Sequence, residues 1–231
     1  MVTRNLPAAY SGWEQHEPDM RRLSTPELVL EIQDGPPDRR LAAMSVIDLA
    51  EVSSDTIRDW IRALPVSEAN ELAGAIPAQR PHARVSDDLR WVDLARFGYE
   101  RRKLPTFLVM LTASLESLEA KDSDTASTAW DQTGAWLLKV YRELAAGKDE
   151  ESLHDLSLFV FESYLTREPL FEAFRQLVEE HRPLARQVST NPGVLLVDLT
   201  SAQQRRALEA AERAGGLPLA ESWRLLHEPG N

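Results

Sequence analysis

Between Thr106 and Ala120 apolar side chains return at Leu108, Leu111, Leu115 and Leu118. That spacing collects them on one face of a helix and scatters them across both faces of a strand. The same period runs through Ile57, Trp60, Ile61 and Leu64, through Trp130, Leu137, Val140, Tyr141 and Leu144, and through Leu170, Phe174, Leu177 and Val178. The stretch "LHDLSLFVFESYL" is apolar nearly all round, as the buried centre of a bundle would be. Stripes of this kind have to be buried against one another, so the expected fold class is all-α.

Punctuation between the stripes sets the expected division. Residues 1–23 carry Tyr10 and Trp13 without periodicity and read as an extended N-terminal arm. Ser24 and Glu27 form a capping box ahead of a short helix that "DGPP" stops, and further short helices follow in "PDRRLAAMSVIDLA", from a Ser53 or Ser54 cap, and from Ser67. These make a short-helix N-terminal unit, residues 24–78. Longer helices read as a bundle over 79–188, with Gly147 as a left-handed helix end. In 189–231 the run "GVLLVDL" is the best strand candidate, and with "AQQRRALEAAERA" and "LAESWRLLH" behind it the reading is a strand-helix-helix tail.

Composition narrows the functions. With 231 residues the chain can bury roughly 70% of its unfolded surface without a disulfide or metal. Its 26 basic and 37 acidic residues leave a net charge of -11, which opposes non-specific attraction to phosphate backbones and anionic lipid. The absence of cysteine rules out thiol catalysis and thiolate metal sites. The opening residues lack the apolar core of a signal peptide and no run is long enough for a membrane span, so a cytoplasmic location is expected.

The stretch "DLAEVSSDTIRDWI", Asp48 to Ile61, has two readings. Val46, Ile47, Ala50, Val52, Ile57 and Trp60 fit the offsets of a helix-turn-helix, and "SSDTIRDW" resembles a recognition helix. On that reading Ser53, Ser54, Thr56, Arg58 and Arg62 would contact DNA. Two features oppose it. Glu51 occupies the turn position usually given to Gly, and the eight acids and four bases between Ser24 and Arg62 leave that stretch with a net charge of -4. The other reading is plain helix packing, in which "DRRLAAMSVIDLA" resembles the second helix of a HEAT-type repeat.

Other clusters are weaker. In "QRPHARVSDDLRWVDLARFGYERRK" bases interleave with Trp91, Phe97 and Tyr99, so Arg84, Arg90, Arg101, Arg102 and Lys103 form an alternative anionic-ligand set. Arg101 to Lys103 also sit where a helix C-terminus favours cations. Glu151 and His154 have metal-ligand spacing, but a ferritin-like site needs two such pairs with further carboxylates, and no metal or cofactor is expected. No nucleophile elbow, P-loop or glycine-rich strand-to-helix turn occurs, and no catalytic residue is assigned. The tail resembles, in element order, the ribbon-helix-helix of small antitoxin-type repressors, although its strand would offer Leu195, Leu196, Val197 and Asp198 where that fold reads bases with polar residues.

The expectation is therefore a non-catalytic protein interaction module, an adaptor or regulatory subunit. Tyr10, Trp13, Val194, Leu196 and Trp223 are the candidate partner-binding residues, with self-association through the tail as one form of it. The alternative is a DNA-binding regulator with an N-terminal helix-turn-helix and a helical sensor or dimerisation domain.

Overall fold

The computed structural model describes residues 12–78, 85–149, 152, 156 and 165–227. Regular structure among the described residues is helical, with no strand. The chain divides into two compact units, Met1–Ala126 and Ser127–Asn231.

In the first unit a single 3-10 turn, Trp13–His16, runs into α1 (Glu17–Met20), so residues expected in an extended arm are helical. Both pack on α3 (Pro37–Val46), and His16 Nε2 meets Asp38 Oδ2 at 2.9 Å. Helix α2 (Thr25–Asp34) begins at the capping box: the Ser24 backbone N–H and hydroxyl donate to the Glu27 carboxylate at 2.7 and 2.6 Å. Helix α4 (Ser54–Ala63) is capped by Ser53, whose hydroxyl accepts the Thr56 N–H at 3.1 Å. Then follow α5 (Val66–Ala78), α6 (Val85–Arg102) and α7 (Pro105–Glu119). The start of α8 (Ser123–Gly147) lies in "KDSDTAS", which reads as a linker by composition. Asp122 turns it into a helix start by accepting the Thr125 N–H and hydroxyl at 3.1 and 2.7 Å.

Helix α6 is the hub of this unit, with α7 and α4 as its main neighbours. It approaches α7 closely because Gly98 has no side chain: a Cβ there would lie 2.3 Å from Cδ1 of the fully buried Phe107. Two buried carboxylates tie other elements in. Glu68 of α5 receives Arg40 of α3 at 2.8 and 2.7 Å, and Asp88 of α6 receives Lys121 at 2.7 Å. Left without their cations, these carboxylates would be strongly destabilising.

This connectivity corrects the HEAT-like reading. In a solenoid each helical pair packs on the next pair in sequence. Here α2 packs on α3, but α4 packs chiefly on α6 and α5 on α7. Gly147 is also not a left-handed cap: it ends α8, and Lys148 takes the positive φ of 56°.

The second unit contains the rest of α8, then α9 (Glu168–Glu180), α10 (Arg182–Thr190), α11 (Pro192–Leu195), α12 (Ser201–Arg213) and α13 (Leu219–His227). Helix α9 ends just before Pro183, which lies in the first turn of α10, where its missing N–H has no intrahelical role. Gly215, at φ 87°, turns the chain between α12 and α13. Gly216 then sits where a Cβ would lie 2.7 Å from Ser189 Oγ and 2.9 Å from two backbone carbonyls.

The strand expected in "GVLLVDL" is absent. A strand needs a neighbour for its backbone, and among the described residues there is none. The segment satisfies itself locally instead: the Leu196 N–H donates to Pro192 O at 2.9 Å, and Leu199 N–H to Leu196 O at 3.1 Å. Thr200 then opens α12 with a capping box to Gln203.

Charge joins α9 to α12 and α8. Arg206 spans Glu168, at 2.6 Å, and Glu172, while Arg213 and Arg175 converge on Glu179 at 2.5 and 3.0 Å. Arg142 of α8 reaches Glu180 across the gap, with Nε 2.7 Å from the carboxylate. Tyr141 packs edge-on to His181, and burial pushes its phenol up to about 12. The apolar segment 153–155 and 157–164 lies outside the described residues, as do Glu151 and His154.

Gly98→Ala is expected to destabilise the protein by about 1–3 kcal/mol in urea unfolding, because the clash with Phe107 outweighs the gain in helix propensity. Gly74→Ala, on α5 with nothing within 4 Å of the new methyl, is expected to stabilise by up to about 1 kcal/mol. Hydrogen bonds from Arg213 and Arg142 hold Glu179 and Glu180 below the ordinary value of 4.5. Stability from a carboxylate depressed on folding is present above the unfolded pKa and is lost as pH falls through the folded one. The urea midpoint is thus expected to drop as pH falls below about 4.5, and the double variant Glu179→Gln/Glu180→Gln to flatten that dependence.

Candidate interaction surfaces

Helix α4 buries Ile57, Trp60 and Ile61 and leaves a polar face of Asp55, Arg58, Asp59 and Arg62. Helix α6 secures both ends of it. At the start, Arg90 Nε donates to Ser54 Oγ at 2.9 Å, and its terminal nitrogens donate to Ala50 O at 3.2 Å and to Val52 O. At the other end Arg102 donates to the carbonyl of Leu64, which caps α4. Ser53, Ser54 and Thr56 are thus engaged at the helix start, by the cap and by Arg90.

Between these two latches lies Phe97 of α6, half-buried and ringed by guanidinium groups. Arg62, Arg101 and Arg58 place their central carbons 5.1, 5.8 and 5.9 Å from its ring centroid. Arg58 also meets Asp55 at 3.1 Å and Arg62 meets Asp59 at 2.6 Å. Arg101 is exposed and has no ion pair among the described residues. The fold therefore joins Arg58 and Arg62, from the DNA-reading set, to Arg101 from the anionic-ligand set. Neither set signalled this pairing, because α4 and α6 are distant in sequence. The remaining members lie apart: Lys103 has a positive φ of 54° and its Nζ is 5.6 Å from the ring centroid of the buried Tyr99, and Arg84 lies outside the described residues.

The helix-turn-helix geometry is not met at the turn. A 3-10 segment, Leu49–Glu51, and its flanking residues separate α3 from α4. Asp55 and Asp59, 90% and 66% exposed, point from α4 into solvent.

The second surface is the C-terminal corner of the other unit, where α11 packs on α13. Leu196 and Leu199 are buried, and the Leu196 carbonyl accepts from Gln204 Nε2 at 3.0 Å. Val194 and Val197, in the same short segment, are 79% and 61% exposed. On α13, Trp223 is half-buried with its ring 4.5 Å from that of His227, and Leu225 is exposed. Of the expected partner-binding residues, Val194 and Trp223 thus border solvent here and Leu196 belongs to the core. Trp13 is half-buried in the first unit, in the turn that packs on α3, and Tyr10 lies outside the described residues.

Among the described residues no three His, Asp or Glu side chains come close enough to hold a metal ion, and no helix is long and apolar enough to cross a membrane. Comparison with protein-family models, with curated proteins and with solved structures finds no match.

The two arginine roles on α6 separate in a stability measurement. Arg90→Met keeps an aliphatic stem but strands carbonyls ahead of α4, and is expected to lower unfolding free energy by about 1–3 kcal/mol. Arg101→Gln, on the exposed face, is expected to stay within about 0.5 kcal/mol of wild type. Equal losses in both variants would remove the distinction between latch and surface.

Proposed function

We propose that the chain is a non-catalytic interaction module, an adaptor or regulatory subunit, that docks a protein partner through the C-terminal corner around Val194 and Val197. One observation carries the reading: within one short segment Leu196 and Leu199 are buried while Val194 and Val197 stand in water at 79% and 61% exposure. Burying a valine completely is worth about 1.5–3 kcal/mol, so two adjacent ones left outside offer a partner a ready driving force. Helix α13, which packs on α11, carries the half-buried Trp223, and an indole is well suited to anchor such a contact. A DNA-binding regulator fits less well, since Asp55 and Asp59 would meet phosphates with the wrong sign.

The test compares the wild-type chain with Val194→Asp/Val197→Asp as baits, with bound proteins identified by mass spectrometry. The expected result is a partner retained by wild type and lost by the double variant, at unchanged melting temperature. Identical retention by both would sink the proposal. Sedimentation of the chain alone at rising concentration distinguishes a second copy from a different protein as the occupant.

A further inference from the structure

We infer that the ring of Phe97 and its three arginines form a docking point for an acidic segment of a partner protein, one that sets a carboxylate against Arg101 and an apolar side chain on the phenyl face. The surface lies on the first unit and is independent of the apolar corner proposed above. Three cations drawn to one ring repel one another. Asp55 and Asp59 offset two of them, and among the described residues Arg101 has no carboxylate partner, only the ring. An added carboxylate relieves that repulsion where it is least compensated, and the guanidinium fork matches it with two parallel hydrogen bonds.

The existing ion pairs do not block the site. Arg58–Asp55 and Arg62–Asp59 are i, i+3 pairs on an exposed helix face, a class that contributes little to stability and exchanges readily with solvent. Phe97 supplies what a bare cationic patch lacks, a half-buried aromatic surface at its centre.

Charge selects a peptide over nucleic acid. At physiological salt the screening length is about 8 Å, so a carboxylate set against Arg101 feels that uncompensated guanidinium, with Arg58 and Arg62 already offset by Asp55 and Asp59, far more than the chain's net charge of -11. A polyanionic strand extends further, and along α4 and α6 it meets exposed Asp55, Asp59 and Asp93. The signal in sequence is faint because Arg58 and Arg62 alternate with acids and Arg101 looks like a helix-end cation.

The experiment is fluorescence anisotropy on the full chain with a short labelled peptide in which Glu alternates with Phe, run beside its Gln-for-Glu analogue and a labelled single-stranded DNA. The acidic peptide is expected to bind, more weakly as salt rises, and the Gln analogue not to bind. Arg101→Gln is expected to weaken binding about tenfold, the loss of one charge-assisted contact. Phe97→Leu, which keeps an apolar side chain but no ring, is expected to weaken it several-fold. Equal binding by Arg101→Gln, by Phe97→Leu or of the Gln analogue would overturn the inference, as would tighter binding of the DNA. Val194→Asp/Val197→Asp is expected to bind the peptide as wild type does, so loss of partner capture at the C-terminal corner and loss of peptide binding at Phe97 are read separately.

Discussion

The carbonyls ahead of α4 and at its C-terminal end need donors, since a helix cannot satisfy its own last turn and the preceding 3-10 segment offers none. Arg90 and Arg102 of α6 supply them, one to Ala50 and Val52, the other to Leu64. Because both donors stand on one helix, α4 is held at both ends against the same rigid element. Its Ile57, Trp60 and Ile61 can then be buried, and its remaining face is fixed in space. Gly98 allows Phe107 to seat against the α6 backbone, which brings α7 in. Helix α6 therefore decides both the core of the first unit and the position of the arginines that surround Phe97.

The second unit uses charge differently. Glu168, Glu172 and Glu179 on α9 face Arg206 and Arg213 on α12, and most of the ionic side chains named there are paired with one another. Exposed pairs of this kind add little stability singly, but a row of them sets the register of two helices. Apolar side chains left outward in this unit include Val194, Val197 and Leu225. The exposed surfaces of the two units differ in chemistry, an aromatic ring among arginines on one and exposed valines on the other.

Helical content and several helix starts were legible in the chain because their signals are local. Ser24 with Glu27, Ser53 with Thr56, and Thr200 each act within one turn of themselves. The misreadings also have local causes. "GVLLVDL" is a short continuous apolar run with two β-branched valines, like a buried strand, and among the described residues it has no neighbouring strand to pair with. "KDSDTAS" has the composition of a linker, yet Asp122 spends its carboxylate on the first N–H groups of α8. Pro183 marks the end of α9 and also sits in the first turn of α10, and the apolar spacing of Leu184 and Val188 was the available hint that a helix follows.

What the sequence by itself determined is the element type: apolar residues at a 3.6-residue period, with capping side chains at their margins, have a helical solution and no economical alternative. Pairing was decided only in three dimensions. Nothing near Arg90 or Arg102 in the chain shows that they serve α4, and nothing near Arg58 shows that it will share a ring with Arg101. Such contacts depend on which stripe covers which, and that choice is made by shape, by the absence of a side chain at Gly98, and by the demand that every buried polar group find a partner.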